Sequence, residues 1–460
     1  MSAPHRKIIL AAGLCVLVLI AAVRLWPPSE KTATSFLLIV VDSMRADHLG
    51  TYGYPRATSP RIDALAENGI VFTNAISQAP WTKPSVASLF TSTYTSVHRV
   101  LYSKQMIDGE ERTDILNAKF ETMAEAFRSG GFATGGFGMK IHLRPPFGFD
   151  QGFEGYNMHA RRAEKINRHA LSWLGSAGAD RFFMYIHYND PHYPYNPRAG
   201  YARFGTTRPR VQINGDTKRA FRGGGLELSQ NDIRQLVDLY DGEILYTDKY
   251  LGELVDSIES MGYSNLFVIV TADHGEEFLD HGDITHGQSL YSELVRVPLI
   301  VSGSAMPPGS RGIRSDEAVQ LIDLMPTMLD LAGLPHPAGL QGISFSSILE
   351  QGASELPREA IFTERREIED PGFSEAVTDG RWKLIRDAVA GRNMLYDLKA
   401  DPGETIRLED RNQDIVEQFI SRLEAWVARN TSMHEQILPE DTMPLDPETE
   451  QRLKSLGYVN

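Results

Sequence analysis

Residues 35–42, SFLLIVVD, decide the fold, because six consecutive apolar residues lead directly into an aspartate. A run without polar alternation is typical of a strand that is buried on both faces of a parallel sheet. Three later stretches have the same character: residues 181–192 (RFFMYIHYNDPH), 265–277 (NLFVIVTADHGEE) and 295–303 (VRVPLIVSG). This repetition predicts a mostly parallel sheet at the centre of the protein.

Segments with helical spacing separate the apolar runs. Ser59-Pro60 begins one that Gly69 ends, residues 120–131 form another, and residues 232–262 form a long amphipathic segment of one helix or two joined helices. Strands that alternate with helices predict an α/β fold with helices on both faces of the sheet.

Two aspartates follow buried runs at positions where such folds carry their functional groups, the carboxyl ends of the strands. Asp42 follows its run directly, Asp273 follows its own after Thr271 and Ala272, and residues 187–192, from His187 to His192, stand at the end of a third run. A buried carboxylate is costly unless it is paired or bound to a metal, and His274 adds a nitrogen ligand beside the second one. The three residues predict a divalent cation site, with a helix cap or an ion pair as the alternative for each aspartate.

The composition excludes some classes of function. Lys and Arg number 46 against 60 Asp and Glu, a net charge of -14, which argues against a nucleic-acid partner. The one cysteine, Cys15, lies in an apolar N-terminal run, so the chain forms no intrachain disulfide and its globular part has no cysteine nucleophile.

The N-terminus has the pattern of a secretory signal or a signal anchor. His5, Arg6 and Lys7 precede the apolar residues 8–23, and no small-x-small cleavage site follows them. We therefore expect one retained N-terminal membrane helix and a globular part outside the cytoplasm, with an exported, cleaved form as the alternative.

Seven motifs within residues 36–410 resemble those of the sulfatase family of the alkaline phosphatase superfamily, both in their residues and in their order along the chain. They are VVDSMRADHLGTYGYPRATSPRIDALAENGIVFTNA (40–75), WTKPSVASLFTS (81–92), GMKIHL (138–143), NDPHYPY (189–195), TADHGEE (271–277), HGQSLYSELVRVPLI (286–300) and LYDLKADPGE (395–404). The resemblance implies the fold of that superfamily, a mixed but mostly parallel sheet with helices on both faces and a small C-terminal α+β subdomain.

Turn signals also support a separate C-terminal part. After about residue 345 short strand-like stretches flank turns such as Asp379-Gly380, which predicts antiparallel strands, and a helix is expected over about 413–429. The predicted division is an N-terminal signal anchor and linker (1–34), a sulfatase-like catalytic domain (35–345), a C-terminal subdomain (346–430) and a polar tail (431–460).

The nucleophile motif departs from the family pattern. Sulfatases carry C/S-x-P-S-R, whose first residue is oxidised to formylglycine, whereas this chain has threonine at position 82 and Val86 in place of the arginine. The pairs Asp42-Ser43 and Asp273-His274 also replace the usual Asp-Asp and Asp-Asn. With these changes the motifs resemble those of relatives that use an unmodified threonine as the nucleophile, such as phosphoethanolamine transferases and lipoteichoic acid synthases.

The resemblance therefore implies that Thr82 is the nucleophile and that its oxygen, Asp42, Asp273 and His274 bind one divalent metal. Coordination to a divalent metal lowers the pKa of a hydroxyl and fixes the direction of its oxygen, which makes the hydroxyl a better nucleophile. Oxygen ligands with one histidine favour manganese or zinc, with calcium possible. Alternatively or additionally, Thr82 is a helix N-cap; Ser85 is a second candidate for the cap.

Four further residues correspond to family positions around the reacting group. Lys140 and His142 match a Lys-x-His pair that contacts the transferring group and the nucleophile, and His192 matches a substrate-binding or proton-donating histidine. His286 stands where many sulfatases have a lysine that holds the anion. The alternative for these four is a solvated lysine and histidines that pack structurally. Other residues with possible roles near the site or in its support are Arg45, Asp47, Lys83, Glu277, Asp280 and His281.

Together these features predict a metal-dependent hydrolase of sulfate or phosphate esters. Its partner would be a small anionic ester or a sulfated or phosphorylated glycan or lipid, and the arginines of the insert at residues 199–229 are a candidate pocket for it. Two alternatives remain: a phosphoethanolamine-type phosphoryl transferase that acts on an envelope lipid or glycan, and a degenerate, non-catalytic anion or glycan binder.

Overall fold

The structure, a computed structural model, describes most of the chain. The described residues are 31–101, 105–107, 110–205, 209–351, 355–365, 373–388, 390–437, 442–444 and 447–455. The predicted membrane anchor at residues 8–23 lies outside them. Within the described ranges, no helix is both long enough and apolar enough to span a bilayer.

Seventeen strands are present in the described residues. They are β1 Ser35–Val41, β2 Ile70–Ile76, β3 Gln105–Ile107, β4 Glu110–Asp114, β5 Ala133–Gly138, β6 Gly155–Asn157, β7 Phe182–Tyr188, β8 Leu266–Thr271, β9 Glu277–Phe278, β10 Ile284–Thr285, β11 Arg296–Ser302, β12 Ile313–Gln320, β13 Ile361–Arg365, β14 Ser374–Thr378, β15 Trp382–Asp387, β16 Arg392–Asp397 and β17 Thr442–Pro444.

The α-helices of the same ranges vary from single turns to one of 31 residues. They are α1 Pro60–Glu67, α2 Thr82–Thr91, α3 Thr95–His98, α4 Met123–Ser129, α5 Ala163–Ala177, α6 Gly215–Arg222, α7 Gln230–Ser260, α8 Ser292–Val295, α9 Leu324–Ala332, α10 Ser346–Gln351, α11 Gln413–Ile437 and α12 Pro447–Ser455.

The central sheet has eight strands in the order β12-β2-β11-β8-β1-β7-β5-β6. All neighbouring pairs are parallel except those of β11, which runs antiparallel to β2 and to β8. Every residue of β1, β7 and β8 is buried, because helices cover both faces of this part of the sheet. The predicted α/β fold with a mostly parallel sheet is confirmed.

The register of the central strands places their carboxyl ends side by side. Val40 of β1 pairs with His187 of β7 on one side and with Thr271 of β8 on the other. The residues that follow these three strands therefore meet at one edge of the sheet, as expected for parallel strands.

The predicted antiparallel strands of the C-terminal part are confirmed as a four-stranded sheet, β13-β14-β15-β16. One face packs against α11, where the Trp426 ring stacks on Phe362 with centroids 5.0 Å apart. The other face packs against Ile76 and Val295 of the main domain. The long segment at 232–262 forms the single helix α7, which begins with a capping box at Ser229.

Trp426 gives a test of the packing between α11 and the small sheet. The side chain is fully buried in a cluster of apolar residues, so Trp426→Ala should lower the free energy of unfolding by about 3–5 kcal/mol. Urea denaturation followed by circular dichroism measures this change. Glu424→Ala, an exposed position of the same helix, should leave the midpoint nearly unchanged, and equal losses in both variants would contradict the packing described here.

Candidate active site

Asp42, Asp273 and His274 meet at the carboxyl edge of the central sheet. All three are fully buried, and each offers a ligand atom that lies within 4.8 Å of the others. Nε2 of His274 is 3.5 Å from Asp42 Oδ1 and 3.6 Å from Asp273 Oδ2. The structure thus brings together the three side chains that the sequence placed at two separate strand ends.

The backbone determines which nitrogen of His274 faces this cluster. Its Nδ1 is 2.8 Å from the carbonyl oxygen of Gly275, and because a carbonyl only accepts, this nitrogen carries the proton. Nε2 is then left with its lone pair directed at the carboxylates and at Thr82, whose Oγ1 is 3.3 Å away. This is the tautomer that a metal ligand requires.

Thr82 is the first residue of helix α2 and is fully buried. Trp81 precedes it in extended conformation, and no side chain caps the helix. The hydroxyls of Ser77 and Ser85 both donate to the carbonyl oxygen of Asp273 at 2.6 Å. These hydrogen bonds connect the start of α2 to the end of β8, where Asp273 lies. The predictions that Thr82 or Ser85 caps this helix are therefore wrong, because their hydroxyls are directed elsewhere.

The cluster fits a divalent metal ion on the chemistry of its donors. Asp273 Oδ1 accepts from the backbone amides of Ser43 and His274, at 3.3 and 3.0 Å, while Oδ2 is buried and, among the described residues, has no hydrogen-bond partner. A buried carboxylate oxygen in that situation costs several kcal/mol unless a cation compensates it. Two carboxylates and one imidazole are ligands that manganese and zinc accept.

Lys140 lies inside the cluster. Its ammonium is 2.5 Å from Asp42 Oδ2 and the side chain is buried. Burial raises the pKa of the Asp42 carboxyl, but the ammonium and the neighbouring histidines outweigh burial and hold this pKa well below its usual value. Asp42 is therefore ionised, as both an ion pair and a metal site require.

His187 belongs to the same cluster, although the sequence indicated only the segment in which it lies, residues 187–192. Its Nε2 is 3.4 Å from Asp42 Oδ2 and 4.0 Å from Asp273 Oδ2, and its Nδ1 is 2.7 Å from the Tyr185 hydroxyl. Its place at the end of a third buried strand, equivalent to that of Asp42, is the signal by which the sequence indicated residues 187–192, although it gave His187 no role of its own. The apolar residues on both sides of His187 resembled those of a core position.

His142 and His192 are both buried around the cluster. The His142 ring meets Trp81 edge to face at 5.9 Å, and burial lowers its pKa well below the usual value. His192 places Nδ1 2.6 Å from the carbonyl oxygen of Tyr193, so this nitrogen carries a proton. Burial first, and then the nearby Lys140, lower the pKa of His192 to about 3, which keeps its imidazole neutral.

His286 stands beside His274 and His192, with ring centroids 4.3 and 4.9 Å apart. Its Nδ1 is 2.9 Å from Oε1 of Glu276, a fully buried carboxyl that the sequence analysis did not single out. Its Nε2 is buried and has no hydrogen-bond partner among the described residues. The pair therefore orients the imidazole through Nδ1 and leaves Nε2 for a ligand.

Other acidic and basic residues near these motifs take part in structural contacts. Arg45 binds Asp47 and Asp280 at 2.8 Å each. His281 is 2.7 Å from Glu293 and stacks on Tyr291. Two further residues also make structural contacts: Glu277 accepts from backbone amides of its own hairpin, and Lys83 donates to Thr113 Oγ1 at 2.8 Å.

The fold and the site define an α/β enzyme whose chemistry sits at the carboxyl ends of parallel strands. The sulfatase family model matches residues 34–334, about two thirds of the chain, and the model of the C-terminal part of N-sulphoglucosamine sulphohydrolase matches residues 281–429. The chain belongs to the sulfatase family, a family of sulfuric ester hydrolases.

Individual relatives are distant but cover nearly the whole chain. The chain is 26% identical to the uncharacterized sulfatase YidJ of Escherichia coli K12, over 82% of this chain and 83% of that protein. It is 23% identical to the delta 4,5-hexuronate-2-O-sulfatase of Bacteroides thetaiotaomicron, over 86% and 89%. A solved phosphonate monoester hydrolase from Silicibacter pomeroyi shares the fold at a TM-score of 0.68, with 21% identity over 87% of this chain and 96% of that one.

Asp273 gives a test of the metal site that does not depend on activity. Mn²⁺ or Zn²⁺ should raise the melting temperature of the wild-type protein, because a ligand that binds only the native state stabilises it. Asp273→Asn can keep the two backbone hydrogen bonds to Oδ1 while it removes the charge, so this rise should be lost. Differential scanning fluorimetry across a metal titration measures the effect.

The matched control is Asp47→Asn, which removes a carboxylate that binds Arg45 outside the cluster. This control should keep the response to metal. If Asp273→Asn responds to metal as the wild type does, Asp273 is not a ligand.

Proposed function

We propose that this protein is a metal-dependent hydrolase of sulfate or phosphate esters that uses Thr82 as its direct nucleophile. The observation that carries the proposal is the direction of the Thr82 hydroxyl, whose Oγ1 lies 3.3 Å from Nε2 of His274 in the cluster with Asp42 and Asp273. The residue at the family's nucleophile position thus points at the candidate metal ligands, and a hydroxyl at the start of a helix is also well placed to meet an anion.

Asp42, Asp273, His274 and the Thr82 oxygen would hold one divalent ion, for which manganese or zinc suits the donor set better than calcium. When bound, such an ion lowers the pKa of a hydroxyl and offsets negative charge on the reacting group. The carboxylates bring the two negative charges that a dication requires, and the Gly275 carbonyl keeps the histidine in the tautomer that binds it.

The chemical step is an in-line displacement at sulfur or phosphorus. Thr82 Oγ1 forms a bond to the central atom while the bond from that atom to the ester oxygen breaks, and the electron pair of the broken bond stays with the leaving alcohol. His192 would take the threonine proton and return it to that alcohol, because the negative charge of the bound ester raises the pKa of its imidazole above the value of about 3 in the free protein. Water then attacks the threonine ester, releases sulfate or phosphate and restores the hydroxyl.

Stabilisation of the anion falls to Lys140, His142 and His286. Val86, which occupies the position of the family's arginine, is fully buried in the apolar core and supplies no charge. The Lys140 ammonium beside Asp42, together with Nε2 of His286, takes the place of that arginine in binding the oxygens of the ester.

The relatives suggest the class of substrate. A hexuronate-2-O-sulfatase is among the related proteins, so we favour a sulfated sugar. The structural neighbour that hydrolyses phosphonate monoesters makes phosphorus esters the second candidate. The apolar N-terminal run at residues 8–23 supports a location outside the cytoplasm, attached to the membrane; accessibility of the domain to protease added to intact spheroplasts tests that location.

Thr82 substitutions test the nucleophile. Thr82→Ala should reduce kcat by at least about a thousandfold, because no other group can form the covalent ester. Thr82→Ser keeps a hydroxyl at the same place and should retain much of the rate. The measurement is turnover of aryl sulfate, phosphate monoester, diester and phosphonate substrates with added Mn²⁺, Zn²⁺ or Ca²⁺, and mass spectrometry of the quenched protein should find the ester on Thr82.

The same panel separates the competing functions. Transfer to an added alcohol in place of water favours the transferase, and anion binding without any turnover favours the non-catalytic binder. Full activity of Thr82→Ala would exclude threonine as the nucleophile.

A further inference from the structure

The insert at residues 199–229 carries several cations, but its arginines are largely used in ion pairs. Arg210 binds Asp232 and Arg219 binds Asp216, each at 2.5 Å, and Arg222 binds Asp283 at 3.1 Å. These three arginines are therefore held by acids, and the arginine pocket expected from the sequence stays a prediction.

Helix α6 of the insert is attached to the hairpin next to the active site. Besides Asp283, Arg222 donates to Gln288 Oε1 at 3.2 Å, and His286 lies between these two positions in the chain. Lys218, four positions before Arg222, lies on the same face of helix α6.

The ammonium of Lys218 lies over the ring of Tyr193, 5.8 Å from its centroid. Tyr193 stacks on His192 at 4.5 Å and lies 5.6 Å from the His286 ring. Lys218 and two of the histidines around the cluster, His192 and His286, thus contact the same tyrosine ring, and Lys218 is half-buried.

We propose that Lys218 binds a second anionic group of the substrate, a sulfate or carboxylate on the saccharide that carries the reacting ester. This inference rests on the proposed function and narrows its substrate to saccharides that carry at least two negative charges. A lysine suits this role because its flexible stem and three donors adapt to anions in slightly different positions. A charge-assisted hydrogen bond at a half-buried position contributes about ten- to a hundredfold to binding.

The test compares two substrates in one variant. For a sulfated disaccharide that also carries a carboxylate, Lys218→Met should raise KM by about tenfold or more. For a simple aryl sulfate, which has no second anion, the same variant should change KM by less than about twofold, and kcat should change little for both substrates. Lys218→Arg keeps the charge and should recover most of the disaccharide affinity.

Arg219→Met is the matched control. Arg219 lies on the same helix, is exposed, and forms its ion pair with Asp216 of that helix. It should leave both KM values unchanged. An equal change for both substrates in Lys218→Met, or no change for either, would overturn the proposal.

A binding measurement separates this proposal from the proposed function. Calorimetry of the disaccharide with Thr82→Ala protein, with and without Lys218→Met, needs no turnover. Absence of turnover by the wild type counts against the hydrolase, whereas equal affinities of the two Thr82→Ala proteins count against Lys218 alone.

Discussion

Two carboxylates that are buried at adjacent strand ends impose the constraint on which the rest of the site depends. Asp42 and Asp273 have no exposed surface, and the cost of removing two such charges from water far exceeds the gain from any single contact. Lys140 compensates Asp42, and the imidazoles of His187 and His274 face both carboxylates. One oxygen of Asp273 still has no hydrogen-bond partner in the described residues. The protein thus maintains an electrostatic imbalance that a dication would correct.

The position of Thr82 follows from the same strand end. Because Ser77 and Ser85 both donate to the carbonyl oxygen of Asp273, the start of helix α2 cannot move independently of the second carboxylate. In the reaction proposed above, a threonine held in this way attacks as its own hydroxyl and needs no oxidation. Val86, at the position of the family's arginine, extends the apolar core to the helix, and the positive charge beside Asp42 is that of Lys140, which follows β5.

The central sheet and the elements added to it carry different groups of the site. The ends of the parallel strands hold Asp42, Asp273 and His274, and the strand register leaves these residues little freedom. In the reaction proposed above, the groups that would distinguish one substrate from another come from elements added to the sheet, namely the insert with α6 and the residues that follow β10. The C-terminal sheet packs between α11 and the main domain and stabilises the strand ends from the side.

The sequence alone determined the buried strands, the C-terminal antiparallel sheet and the convergence of Asp42, Asp273 and His274, because parallel strands of similar length must bring their carboxyl ends together. It did not reveal that Glu276 orients His286, or that Arg210, Arg219 and Arg222 of the insert are used in ion pairs. Each of these depends on side-chain directions and on contacts between residues that are not adjacent in the sequence. Local patterns encode whether a residue is buried, whereas only the tertiary structure decides which buried atoms face one another.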